Sequence, residues 1–308
     1  MARESLYPEP MLKSLKPNLL LILFAALLLR ISAEERLVGL KSLSFAVGVR
    51  EIGMGEVGTA SAEGPFSFYF NPALSAWNKK ISLGLAYSDW WLDTYRTALF
   101  FLHPAKLLNL GLGLIFFDYG KIELRRDRPA EAIGEYSPKD ITLYFNLARS
   151  LSSKLTLGTS FRFFSERFYT QATSQWGLDL GFNYQGKNWQ IGFSYLNWGD
   201  VLRLKMEKFY LPAEFRLGVS FFWLINNFSF RPAFDYTYSP YEGVGRVHLG
   251  GEVNFKEGLS LRLGYGRNAP AFGIGVKRGI FSFDYGCTIK KELPNPSHHF
   301  ALRLTTSY

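Results

Sequence analysis

The chain has 308 residues, a formal net charge of +9, 17% aromatic residues and a single cysteine, Cys287. One large β domain or two small domains fit this length, and a lone cysteine excludes an intrachain disulfide framework and cysteine-rich metal sites. The positive excess reads as spread along the chain, which suits an anionic surface such as lipopolysaccharide phosphates and argues against nucleic acid as a partner.

Residues 1–33 read as an export signal. Lys13 and Lys16 precede an apolar run from Leu19 to Leu29, and Ser32-Ala33 offers a small-residue cleavage region. Met11 is an alternative start that drops the acidic leader with Glu4 and Glu9. The apolar core is too short to span a bilayer as a helix.

Residues 34–79 form a second unit whose centre is the run from Val47 to Trp77, too rich in glycine and small residues for an ordinary strand or helix. Its glycines, Gly53, Gly55 and Gly58 among them, suit a segment wedged into a confined lumen, where backbone must approach backbone closely. Asn71 and Pro72 open a short helix, the first as its cap and the second at the first helical position, followed by Ala73. Gly53, Gly55 and Gly58 also satisfy G-x-G-x-x-G. That pattern needs a βαβ unit or kinase motifs around it, and here Pro65 and a run of strands follow, so no cofactor is expected. The four histidines show no zinc-like spacing, and no metal is expected.

Residues 80–308 read as a barrel. Large apolar residues recur at every second position, with Gly, polar or charged residues between. Leu108, Leu110, Leu112, Leu114 and Phe116 share one face, and Asn109, Gly111 and Gly113 the other. About fourteen strands follow from this alternation, near 81–88, 95–102, 107–117, 141–149, 154–165, 175–184, 189–196, 214–223, 227–236, 246–255, 259–266, 271–277, 280–288 and 299–308, within the range of outer-membrane barrels. Tight connections follow the even-numbered strands. Longer polar ones follow most odd-numbered strands: 89–94, 118–140, 166–174, 197–213, 237–245 and 290–299. This rhythm predicts an all-β, antiparallel transmembrane barrel with an N-terminal plug, set in the outer membrane of a Gram-negative-type bacterium with both termini periplasmic.

Register gives finer expectations. A turn at Gly186-Lys187 pairs Phe182 with Ile191, and a turn at Lys256 to Gly258 sets Glu252 opposite Arg262. Asp284, Arg216, Arg231 and Asp235 share that polar face, which suggests a lumen ion-pair network touching the plug. Pro232, inside a regular strand, marks a bulge or a lateral gap. Trp90, Trp91, Tyr95, Trp189, Tyr195 and Trp198 fall near strand ends, as girdle aromatics do. Phe300, Leu302, Leu304 and Tyr308 alternate to a terminal aromatic, the address expected for the barrel-assembly machinery.

GVREIGMGEVGTASAEGPFSFYFNPALSAW, IGFSYLNWG followed by LPAEFRLGVSF, and LGGEVNFKEGLSLRLGYG together resemble the PorV/PorQ family, a branch of the FadL-like outer-membrane barrels. The matching positions are Asn71, Pro72 and Ala73, then Asn197, Gly199, Leu211, Pro212, Arg216 and Gly218, then Gly250, Glu252, Arg262, Gly264 and Tyr265. The resemblance implies a fourteen-strand barrel with an N-terminal hatch. It also implies a non-enzymatic role, either passage of hydrophobic small molecules, as in FadL-like transporters, or service to secreted protein cargo in type IX secretion. The remaining alternative is an outer-membrane hydrolase using His248 as base, for which no triad partner is evident.

Overall fold

The computed structural model describes residues 36–90, 93–125, 131–169, 171–204, 207–291 and 293–306. The signal segment, Trp91, Tyr308, and Arg126 and Arg128 of the 118–140 connection, a candidate contact for secreted protein or lipopolysaccharide, lie outside the described residues.

Period-two alternation becomes one antiparallel sheet. Its strands are β1 (Ile81–Asp89), β2 (Tyr95–His103), β3 (Asn109–Asp118), β4 (Lys139–Ser150), β5 (Leu155–Phe168), β6 (Gln171–Gln185) and β7 (Trp189–Gly199). The second half comprises β8 (Glu214–Phe221), β9 (Phe228–Ser239), β10 (Val244–Phe255), β11 (Leu259–Gly266), β12 (Ala269–Arg278), β13 (Phe281–Thr288) and β14 (Ser297–Thr306). Each strand pairs with its sequence neighbours, and β1 pairs with β14 from Ile81↔Thr306 to Asp89↔His298. The ring is closed. The fourteen-strand antiparallel barrel expected from alternation is therefore the fold.

The outside is greasy. Leu83, Leu85 and Tyr87 on β1, Leu110, Leu112 and Leu114 on β3, Leu261, Leu263 and Tyr265 on β11, and Phe272, Ile274 and Val276 on β12 are all exposed. A closed antiparallel ring with such a belt satisfies its backbone internally and presents hydrocarbon outward, the combination that lipid requires. Phe300 and Leu302 belong to this belt, on the last strand.

Several expectations are corrected. In the connection assigned to 166–174, residues 166–168 and 171–174 are strand: β5 and β6 stay paired out to Phe168↔Gln171, because the alternation continues in polar residues that the apolar pattern did not register. The hairpin between β6 and β7 turns at Lys187-Asn188, since Gly186 N–H bonds to Trp189 O and Gln185 faces Gln190. Phe182 thus meets Phe193, a slip of two residues that keeps apolar faces together. Pro232 is no bulge. The β8–β9 register runs from Phe215↔Tyr238 to Ser220↔Ala233 and resumes unshifted at Trp223↔Phe230, so one stretch of ladder is missing beside Arg231 and Pro232 without an inserted residue. Pairing of β9 with β10 runs unbroken through the same residues. The true bulge is at Leu196-Asn197, two residues set against Asp179, with Asn197 at φ 59°. Trp90 sits between Phe45, Phe117 and His299 at the lumen mouth, so it is not a girdle residue.

The described N-terminal residues enter at the loop end of the barrel. Arg36 N–H bonds to Tyr241 O, Val38 bridges Tyr210, and Lys41 pairs with Glu242 at 3.2 Å. The chain then runs down the lumen and leaves at the tight-turn end, where Ile81 starts the wall. Among described residues, Arg36 therefore lies at the loop end and Thr306 at the tight-turn end. The alternation that sets strand direction carries no information about a segment without strands.

Inward-facing glycines of the wall make room for this segment. A Cβ on Gly264 would lie 2.0 Å from Met54 C, and one on Gly192 would lie 2.0 Å from Thr59 O. Gly264→Val should therefore lower the apparent Tm and admit protease to residues 46–62 while the barrel still shows heat-modifiable migration, with a cost of about 1–3 kcal/mol or more from overpacking. Unchanged protease protection would contradict this packing.

Candidate functional site: the lumen and its N-terminal segment

Only short helical turns interrupt the segment, Val49–Ile52, Gly64–Phe66, Ser67–Phe70 and Pro72–Trp77 among them, so many of its backbone groups need partners from the wall. Asp235 on β9 supplies one carboxylate oxygen, Oδ2, to Gly58 N–H at 2.9 Å, Thr59 N–H at 2.9 Å and the Thr59 hydroxyl at 2.6 Å. Arg216 on β8 donates to Glu56 O at 3.0 Å and approaches Asp235 Oδ2 at 3.4 Å. His248 Nδ1 lies 2.9 Å from Gly55 O. Asn71 caps the turn that follows: its Oδ1 accepts Ala73 N–H at 3.0 Å, while its Nδ2 donates to Thr59 O and to Phe182 O on β6. Of the three motif glycines, Gly55 has φ +71°, while Gly53 lies against the backbone of Gly273 and Gly58 against the Phe70 ring. They serve close packing rather than phosphate binding.

A chain of ion pairs joins segment to wall. Arg50 grips Glu252 with Nε at 3.0 Å and Nη2 at 2.6 Å, and turns Nη1 to Glu51 at 2.9 Å. Glu252, directly opposite Arg262, accepts from its Nε at 2.7 Å. Arg262 Nη1 continues to Asp284 at 2.8 Å, and Asp284 to Arg303 at 2.8 Å. Burial alone would lower the Arg50 guanidinium, but Glu252, Glu63 and Glu51 outweigh it and hold it well above its ordinary value. Likewise burial would raise the Glu56 carboxyl, and Arg267, paired with it at 2.6 Å, holds it below its ordinary value.

The six charged residues singled out from the strands do not form one network. Glu252, Arg262 and Asp284 are joined, Arg216 and Asp235 form a separate pair higher in the lumen, and Arg231 bonds Glu63 of the segment at 2.5 Å. Sequence reasoning missed Arg50, Arg303 and Arg267, and also the Arg162–Asp179 pair beside Asn197. Arg162, Arg267 and Arg303 stand at inward-facing places where a charge needs a partner, which was the available signal; Arg50 gave none, because its position follows no period.

The opposite half of the lumen is aromatic. Phe66, Phe68 and Tyr69 of the segment pack on Phe100 and Tyr144, with Leu102 and Ile115 behind them. β2 reads YRTALFFLH, apolar on both faces, with Ala98, Phe100 and Leu102 buried toward the segment and Leu99 exposed on the greasy outside.

The tight-turn end has its own character. A vestibule of about 950 Å³ opens there beneath the segment. Around it, Lys79, Lys80, Lys106, Arg149, Lys154, Lys187, Lys256, Lys277 and Arg278 are exposed, against Glu257 alone in the same connections. The positive charge is gathered at this end, contrary to the even spread read along the chain, because turns distant in sequence share one rim. His248, four residues from the loop end of β10, is fully buried against Gly55 of the segment, with Thr237 as another near polar neighbour at 3.4 Å. No group of three His, Cys, Asp or Glu among the described residues suits a metal ion.

No family model and no curated protein matches the sequence. Solved structures do. The Pseudomonas putida toluene transporter TodX aligns with TM-score 0.61 at 13% identity, covering 89% of this chain and 98% of its own. The fold is that of the hydrocarbon channels. The CymD monoaromatic hydrocarbon channel aligns with TM-score 0.58 at 14% identity over 88% and 99% of the two chains, and a Pseudomonas aeruginosa FadL homologue with 0.57 at 12% over 85% and 98%.

Arg50→Met should destabilise the protein by about 3–5 kcal/mol, since it leaves Glu252 buried beside one remaining cation. The double substitution Arg50→Met with Glu252→Met should recover part of that loss. Thermal unfolding in detergent measures both, and additive losses would deny the coupling.

Proposed function

We propose that this is a non-enzymatic outer-membrane barrel that passes hydrophobic small molecules, with the N-terminal segment as its plug. The observation that carries the reading is the likeness to hydrocarbon channels over nearly the whole of both chains, coupled with an aromatic lumen half that an apolar solute can share. The lumen is filled in this state, so passage requires the plug to shift. Rigid wall ladders and an irregular segment held by hydrogen bonds favour movement of the segment. The interrupted ladder beside Pro232 offers an exit toward lipid: Arg231 and Phe222 line the vestibule behind it, and Phe221 faces outward next to it.

Expressed in a bacterial host stripped of its own hydrophobic-compound channels, the protein should raise uptake of radiolabelled toluene several-fold over vector. Correctly folded, heat-modifiable protein that gives no increase for toluene, octane or oleate would overturn the proposal.

A second reading, the PorV/PorQ type, keeps the barrel and replaces the solute with secreted protein cargo or lipopolysaccharide. It is supported by the order of the sequence motifs and by the filled lumen, which leaves the loop end as the working surface. There the connection after β3 projects a two-stranded ribbon, Ile122–Leu124 against Gly134–Tyr136, bearing Lys121 and Arg125. Co-purification of a type IX secretion component from native membranes, without hydrocarbon uptake, would favour it.

A further inference from the structure

The vestibule at the tight-turn end is a blind bay: its roof is the N-terminal segment and its mouth opens between the turns. Seven cationic side chains line it against three carboxylates. Lys79, Lys256 and Lys277 stand exposed at the mouth, while Arg50 of the roof and Arg262 and Arg303 of the wall share Glu252 and Asp284. The remaining pair is Arg231 with Glu63, and it is unlike the others. Glu63 belongs to the segment, sits on extended backbone at φ −131° and ψ 156°, and is 52% exposed within the bay. It is a peptide carboxylate resting on a vestibule cation.

We propose that this bay docks an acidic, extended peptide segment of a soluble protein on the turn side of the membrane. Low-dielectric walls focus the field of the unneutralised lysines and draw anions to the mouth. About 950 Å³ lies at the upper end of the roughly 300–1,000 Å³ typical of ligand sites and is more than a lone inorganic anion requires. Trp77 and Phe222 give the wall an apolar stretch for the methylenes of glutamate side chains. A lipid headgroup fits less well, because Lys256 and Lys277 line the inside of the ring, where the surrounding leaflet does not reach. An incoming carboxylate competes with Glu63 for Arg231. Release of Glu63 frees the adjoining turn at Gly64, with φ +71°, which lines the bay, so docking and plug movement are coupled through one exchanged ion pair. The inference is independent of what crosses the barrel.

The test uses the full chain in an uncharged detergent, with a fluorescein-labelled hexaglutamate peptide followed by anisotropy. Binding should weaken with salt and fall about tenfold in Lys79→Glu/Lys256→Glu/Lys277→Glu, reversals at exposed positions that leave heat-modifiable migration intact. It should change less than about twofold in Lys106→Glu/Lys154→Glu/Lys187→Glu on the surrounding turns. Glu63→Gln should tighten binding several-fold by freeing Arg231, a change that general attraction to a basic surface does not produce. Equal loss in both triple variants, an unchanged Kd in Glu63→Gln, or binding to phosphatidylglycerol vesicles with none to the peptide would overturn the proposal, the last in favour of a lipid surface.

Discussion

An irregular backbone inside a closed ring has neither bulk water nor a neighbouring strand to satisfy it, and this constraint organises the molecule. The wall answers with carboxylate, guanidinium and imidazole groups aimed at main-chain atoms: Asp235 at the Gly58 and Thr59 amides, Arg216 at the Glu56 carbonyl, His248 at the Gly55 carbonyl. Such contacts need short distances, and the inward glycines permit them. Gly192, Gly250 and Gly264 each occupy a place where any side chain would collide with the segment. Polar groups and glycines on the inner face are thus two parts of one docking surface.

The two halves of the lumen hold the segment with different mixtures of contacts. Toward β8 to β14 the contact is ionic and hydrogen-bonded, directional, and costly to leave half-made. Toward β1 to β6 an aromatic cluster around Phe68 and Phe100 is added to hydrogen bonds from Arg96 to Phe45 O, from Asn109 to Ser75 O and Asn78 O, and from Asn146 to Pro72 O. A segment that moves would therefore break discrete hydrogen bonds on both sides, ion pairs toward β8 to β14, and ring contacts toward β1 to β6. The basic rim and its vestibule lie beneath the ionic half, next to the Arg50–Glu252 and Arg231–Glu63 pairs that would have to open.

Much of this was readable without coordinates. Strict alternation, as in Leu110, Leu112 and Leu114 against Gly111 and Gly113, determined strand number, antiparallel order and which face meets lipid, because a side-chain period of two admits one assignment of faces. Glu252 opposite Arg262 followed from turn length. Reading failed where the decisive quantity is not periodic. The β6–β7 turn slipped by two residues because a slip of two preserves the pattern, and Pro232 showed that a donor was lost without showing whether a residue was added.

The sequence by itself determined a ring of strands, its greasy outside, and a glycine-rich segment that could be no strand of it, since each of these is local or repeats at fixed spacing. Tertiary structure alone decided that the segment enters from the loop end, that Arg50 finds Glu252 some two hundred residues away, and that scattered lysines converge on one rim. Closure is the physical reason: joining β1 to β14 brings distant turns to a common edge and distant side chains to a common axis, and no spacing along the chain records either distance.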